Sequence, residues 1–216
     1  MKHTLFICFL IANIVFAEYQ QDIMPVGFEQ IHIGMEWRSV VELRPTVEIL
    51  NVMPNPKTDL KPNPEKPKTG LTEKLTTGIF DRVIYAFEEG VLVAIMFGKE
   101  ESNSSSQEKE NLINKVIIER GMPSQIEIIG KEQDLGIAIW QDQNIQVNVI
   151  TPIIDIKPKK GVLGLQIMQN KYADKINNIR ITNKTEKMLE IEKHRKNALK
   201  TEIERIFLIN NSNTVK

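Results

Sequence analysis

The sequence predicts an α+β fold: an antiparallel β-sheet with two short helices packed on one face, plus a long C-terminal helix. Three observations predict it. Short runs of alternating apolar and polar residues recur between turn-forming residues. Those runs do not alternate regularly with helical patterns, as a parallel doubly wound sheet would require. The stretch 184–209 is rich in Glu and Lys and contains neither Gly nor Pro, which suits a long helix.

The N-terminus, Met1-Lys2-His3, precedes an apolar run from Thr4 to Phe16 and then Ala17. A basic start, an apolar core and small residues before the cut are the parts of a secretory signal, expected over 1–17 with cleavage after Ala17. The core is shorter than the roughly 20 residues a bilayer span needs. No later segment has the length and apolarity to cross. Cys8, the only cysteine, lies in that leader and lacks the small preceding residue of a lipid-attachment site. The processed chain then has no disulfide, thiol nucleophile or Cys-based zinc site. Export without cysteine points to a bacterial envelope, so the expected location is periplasmic or secreted.

Residues 18–168 are expected to form the α+β domain, and 169–216 a helical extension. An extended leader is expected over 18–28. Met35, Val40 and Leu43 then recur at helical spacing, and Pro45 ends that short helix. The segment 54–68 carries five prolines, which sustain neither a helix nor a sheet ladder, and reads as a solvated loop insertion. Val83, Tyr85 and Phe87 alternate, as do Val91, Val93, Ile95 and Phe97. Glu88-Glu89-Gly90 between them marks a central β-hairpin. Ser105 and Glu108 suit a capping box before a helix at about 106–120, with an apolar stripe of Leu112, Ile113, Val116 and Ile117. Gly121 and Pro123 stop it.

Strands are then expected at 126–128, at 137–140, and, after Asp142-Gln143-Asn144, at 145–149. The last alternates as a sheet with one wet face does, placing Gln146 and Asn148 toward solvent. A further hairpin is expected from 153–156 and 162–167 around Pro158-Lys159-Lys160-Gly161. In the C-terminal helix Leu189, Leu199, Ile203 and Ile206 form an interrupted seam. It serves packing on the chain's own domain, frays into solvent, or supports self-association through 184–209.

The sequence carries little catalytic signal. Lys plus Arg equal Asp plus Glu at 28 each, without the basic excess of a nucleic-acid binder. There is no His-Glu-x-x-His, no Gly-x-Ser-x-Gly, no phosphate-binding glycine loop and no dinucleotide fingerprint. His32 and His194 are the histidines outside the leader. His194 shares a predicted helix face with Glu190, yet two ligands do not make a metal site. No catalytic, cofactor-binding or metal residues are therefore assigned. Trp140 is expected in the core. Trp37, flanked by Glu36 and Arg38, is a candidate partner anchor, together with Gln146 and Asn148 on the expected wet face.

The segment Ile33-Gly34-Met35-Glu36-Trp37-Arg38-Ser39-Val40 resembles the Gly-Met turn into a helix of small bacterial envelope domains. These are the SmpA/OmlA (BamE-like) group and the related β-lactamase-inhibitor-protein-like domains. The Gly121-Met122-Pro123 turn and the following strand with Trp140 are similar in style. The resemblance spans roughly 28–150 and implies helices on one face of an antiparallel sheet and a non-enzymatic, protein-binding role. The chain departs from that group in lacking the lipid-attachment cysteine, in the Pro-rich segment and in the added C-terminal helix. The expected function is an exported, non-catalytic protein-binding or scaffold domain of the bacterial cell envelope, with an unidentified protein partner and no cofactor. The alternatives are a secreted hydrolase with an unrecognised site and a secreted enzyme inhibitor.

Overall fold

The computed structural model describes residues 23–50, 70–99, 106–129, 135–152, 163–174 and 186–213. The expected signal, the Pro-rich loop, Ser105 and the segment 153–156 lie outside these residues.

Eight antiparallel strands form one sheet: β1 (Glu48–Leu50), β2 (Gly70–Lys74), β3 (Arg82–Glu88), β4 (Val91–Lys99), β5 (Gln125–Ile129), β6 (Leu135–Gln141), β7 (Ile145–Pro152) and β8 (Leu163–Gln169). Their spatial order is β1-β2-β3-β4-β8-β7-β6-β5. The sheet thus consists of two four-stranded meanders joined along β4 and β8. Helix α1 (Trp37–Leu43) precedes β1, α2 (Ser106–Arg120) links β4 to β5, and α3 (Glu186–Asn213) follows β8. No described helix is long and apolar enough to cross a membrane.

One sheet face carries the main core. Val83, Tyr85 and Phe87 of β3 lie opposite Phe97, Ile95 and Leu92 of β4. Leu165 and Ile167 of β8, and Val147 and Val149 of β7, continue the same layer. The α2 stripe of Leu112, Ile113, Val116 and Ile117 packs on it, as do Val40 of α1 and Leu199, Ile203 and Ile206 of α3. The helical stripe and the strand alternation meet because each presents its apolar positions on one side. The C-terminal seam from Leu199 onward is therefore spent on the chain's own core. Leu189, at the start of that seam, is instead 52% exposed. Lys109 and Glu202, 2.9 Å apart, fasten α2 to α3.

The central hairpin turns at Glu89 and Gly90, which both have positive φ. A two-residue turn of this hand matches the twist of the strands it joins. The strand register shifts between Ala86 and Phe87. Helix α2 ends as expected: Gly121, at φ 72°, donates its N–H to the Ile117 carbonyl at 2.8 Å. Trp140 is buried, and its indole N–H donates to the Gly121 carbonyl at 2.8 Å, tying β6 to the end of α2.

Three expectations need correction. From Ile23 onward the expected leader is core: Ile23, Met24 and Phe28 are buried, along with Ile31 and Ile33, in a non-periodic run of turns. Strand β8 pairs antiparallel with β7 as well as with β4, so the described partner of the expected 162–167 strand is β7, while the segments 153–156 and 158–161 lie outside the described residues. The face expected to be wet at Gln146 and Asn148 is covered, since these residues are 4% and 2% exposed. Strands β1 and β2 have no counterpart in the predicted elements.

Candidate functional site

The segment 23–34 forms a strap over the main core. Its turn is fixed locally, because the Glu29 carboxylate accepts the Gly27 N–H at 2.9 and 3.0 Å. Hydrogen bonds from its own backbone N–H and then from that of Gly27 hold the Glu29 carboxyl below its ordinary value, with a smaller contribution from the Lys115 charge. The strap's far end is bonded into the sheet. Gly34 donates to the Leu92 carbonyl, and Leu92 donates to the Met35 carbonyl, each at 2.8 Å.

Between the strap, the end of β2, the 75–80 loop and α2 lies a cleft of about 580 Å³. That volume falls within the range of small-molecule sites. Its floor contains Ile23, Phe28, Phe80, Leu112 and Leu165, all buried. Two of these are braced by Phe97, whose ring lies 5.0 Å edge-on from Phe28 and 5.5 Å from Phe80. Such offset and edge contacts are the favoured aromatic geometries and stiffen the floor.

One wall carries a buried charge cluster. Glu73 is 7% exposed and receives a two-pronged contact from Arg44, at 2.9 Å from Nε and 2.7 Å from Nη2. The Thr46 hydroxyl donates to it at 2.6 Å and the Tyr85 phenol at 3.4 Å. Arg44 also donates to the Gly27 carbonyl at 3.2 Å, and its guanidinium sits 4.3 Å from the Phe28 ring centre. One arginine thus links helix α1, strand β2 and the strap.

The protonation states follow from these contacts. Burial pushes the Glu73 carboxyl up, but the bonds from Arg44 and Thr46, with the Arg44 charge, outweigh it and hold Glu73 below its ordinary value. The hydrogen bond from Glu73 raises Arg44 further. Burial, and then the Glu73 charge, push the Tyr85 phenol well above its ordinary value. At neutral pH the cluster is a fixed ion pair capped by two hydroxyls. None of its groups is set to exchange a proton near pH 7.

Two further cations line the cleft, Lys74 and Lys115. Lys74 is exposed, whereas Lys115 is half-buried and donates to the Met24 carbonyl at 2.7 Å. Val26, at the rim, is 92% exposed.

None of the residues predicted as contacts lines the cleft. Trp37 is half-buried at the start of α1, its N–H bonded to the Gly90 carbonyl and its ring 5.7 Å from the Arg38 guanidinium. It secures α1 to the β3–β4 turn. Gln146 donates to Asn148 at 2.8 Å, and Asn148 donates to Gln166 at 3.2 Å, forming an amide ladder across β7 and β8. Neither Gln146 nor Asn148 is available as a surface contact. Neither His32 nor His194 lines the cleft. Among the described residues, no three metal-ligating side chains come together. Sequence reasoning missed Arg44, Glu73 and Tyr85 as a set. Arg44 and Glu73 are 29 positions apart, and no spacing rule connects them.

Comparison with protein families, with characterised proteins and with solved structures finds no match for this chain.

Proposed function

We propose that this chain is an exported, non-catalytic protein-binding or scaffold domain of the bacterial cell envelope. The structural observation that carries the non-catalytic part is the closed Arg44–Glu73–Tyr85–Thr46 cluster. The strongest polar constellation of the cleft satisfies itself and locks the strap to the sheet. An acid–base centre instead needs a group held near the working pH and aimed at open space. The envelope setting rests on the signal-like start, and the scaffold role is in keeping with the SmpA/OmlA-like segment at 33–40. The contact surface we assign is the rim of the cleft. There Val26 is 92% exposed, and Leu43, 40% exposed, adjoins the lining residue Arg44.

Two measurements test this reading. Fractionation and mass analysis of the chain expressed with its own leader should give envelope protein cut after Ala17. Intact protein retained in the cytosol overturns export. A photoreactive residue at Val26 or Leu43 should give one discrete adduct in envelope preparations, with none from the exposed His194 position on α3. Identical adducts from all three positions, or none from any, would remove the contact surface.

A further inference from the structure

We propose that the cleft is a binding site for a single-chain amphiphile with an anionic head, of the fatty-carboxylate type. This goes beyond protein binding, and three observations carry it. First, the cleft is apolar at the bottom and braced there. Phe28 and Phe80 lean on Phe97, while Leu112 and Leu165 close the floor from the helix and the sheet. An alkyl chain gains from entering such a space because its surface leaves water without displacing a protein contact.

Second, the lining charge has a sign. The described lining residues include three cations, Arg44, Lys74 and Lys115, and one carboxylate, Glu73. Arg44 and Glu73 neutralise each other through two short contacts. The excess positive charge therefore belongs to Lys74 and Lys115, with part of the Lys115 charge met by the nearby Glu29 carboxylate outside the lining. The Lys115 ammonium has three N–H donors and uses one on the Met24 carbonyl, which fixes its position beside the floor. It is set to receive an anionic oxygen at the point where an apolar chain would end.

Third, the mouth carries Val26 almost wholly in solvent. An apolar side chain at the rim of an apolar cleft gains burial when a ligand chain passes it. A neutral or cationic amphiphile would meet the same floor without a favourable partner at the head.

Calorimetric titration of the full processed chain tests the proposal. The probes are octanoate, decanoate and dodecanoate below their micelle concentrations, with 1-dodecanol and dodecyltrimethylammonium as comparison arms. Affinity should rise about fourfold per added methylene until the floor is full. Dodecanoate should bind at least about tenfold tighter than dodecanol, and the cation weakest of all. Lys115→Gln should weaken dodecanoate about tenfold. Val26→Asp changes a solvent-exposed position, so the fold is left intact. It should weaken dodecanoate by a similar factor and dodecanol by less, because the alcohol loses the apolar rim contact but meets no like charge. Equal affinity for carboxylate and alcohol, no binding by any carboxylate, or dodecanoate binding that ignores Val26→Asp would overturn the assignment.

Discussion

The two halves of the sheet bury polar groups in opposite ways. The β1–β4 half buries a carboxylate, Glu73, paired with the half-buried Arg44 beside a cleft. The strands of the β5–β8 half bury the neutral amides Gln146 and Asn148, bonded side by side and on to the half-buried Gln166, while the buried Lys109–Glu202 pair of this half lies between helices rather than on the strands. A buried ion pair is stabilised only while both members are present, because one ion alone keeps its desolvation penalty. An amide ladder tolerates partial loss better, since each amide leaves smaller dipoles behind. The cleft half is therefore the half in which one substitution does most harm, and the half that senses pH.

Removing Arg44 should show the largest effect. Arg44→Met leaves Glu73 with only hydroxyl partners and frees the strap from β2. We expect a loss of about 3 kcal/mol in urea unfolding. Adding Glu73→Gln should restore part of that loss, because no buried charge then remains unpaired. A double variant no better than Arg44→Met would mean that the ion pair is not what distinguishes this half. Next in size is the amide ladder: Asn148→Ala should cost about 1–2 kcal/mol, measured the same way. A loss as large as that of Arg44→Met would erase the contrast between the halves.

The pH dependence gives the finest comparison. Glu73 is held below its ordinary value, so its stabilisation is complete above the usual carboxylate range. It is lost as pH falls from about 4.5 through the lower folded value. Tyr85 is raised, so folding favours its neutral form, and stability declines again as pH rises above about 10. The acid limb should flatten in the Arg44→Met, Glu73→Gln double variant, whereas the alkaline limb should persist because burial, the first cause of the Tyr85 shift, remains. Asn148→Ala should run parallel to the parent from pH 3 to 11, which thermal unfolding across that range would check.

The same contrast explains what was legible in the sequence. The central hairpin, α2 and strands β5 to β7 follow from periodicity, because each lies where one face is apolar. The sequence does not reveal that Gln146 and Asn148 are covered. Alternation reports polarity, and polarity is compatible with burial once amides bond one another. Strand β2 was invisible because Gly70-Leu71-Thr72-Glu73-Lys74 has few β-favouring residues, and its pairing with β3 decides its state. The strap was misread because Ile23, Phe28, Ile31 and Ile33 follow no period, although their apolarity was plain. The cleft was unreadable for a different reason. Its charged wall joins a helix end to a strand across the Pro-rich segment, a meeting that only the fold arranges.

The seam between β4 and β8 has a consequence for how the chain reaches this state. Every other pairing beyond the β1–β2 link joins strands that are neighbours in sequence, so each meander can zip up locally. Ala94 opposite Met168 and Ile95 opposite Ile167 instead require everything between them to be gathered in first. Contacts of such sequence separation carry the greatest closure entropy and tend to form late. The protein should therefore assemble as two preformed leaves that merge at the centre, and the merging step should set the pace of refolding.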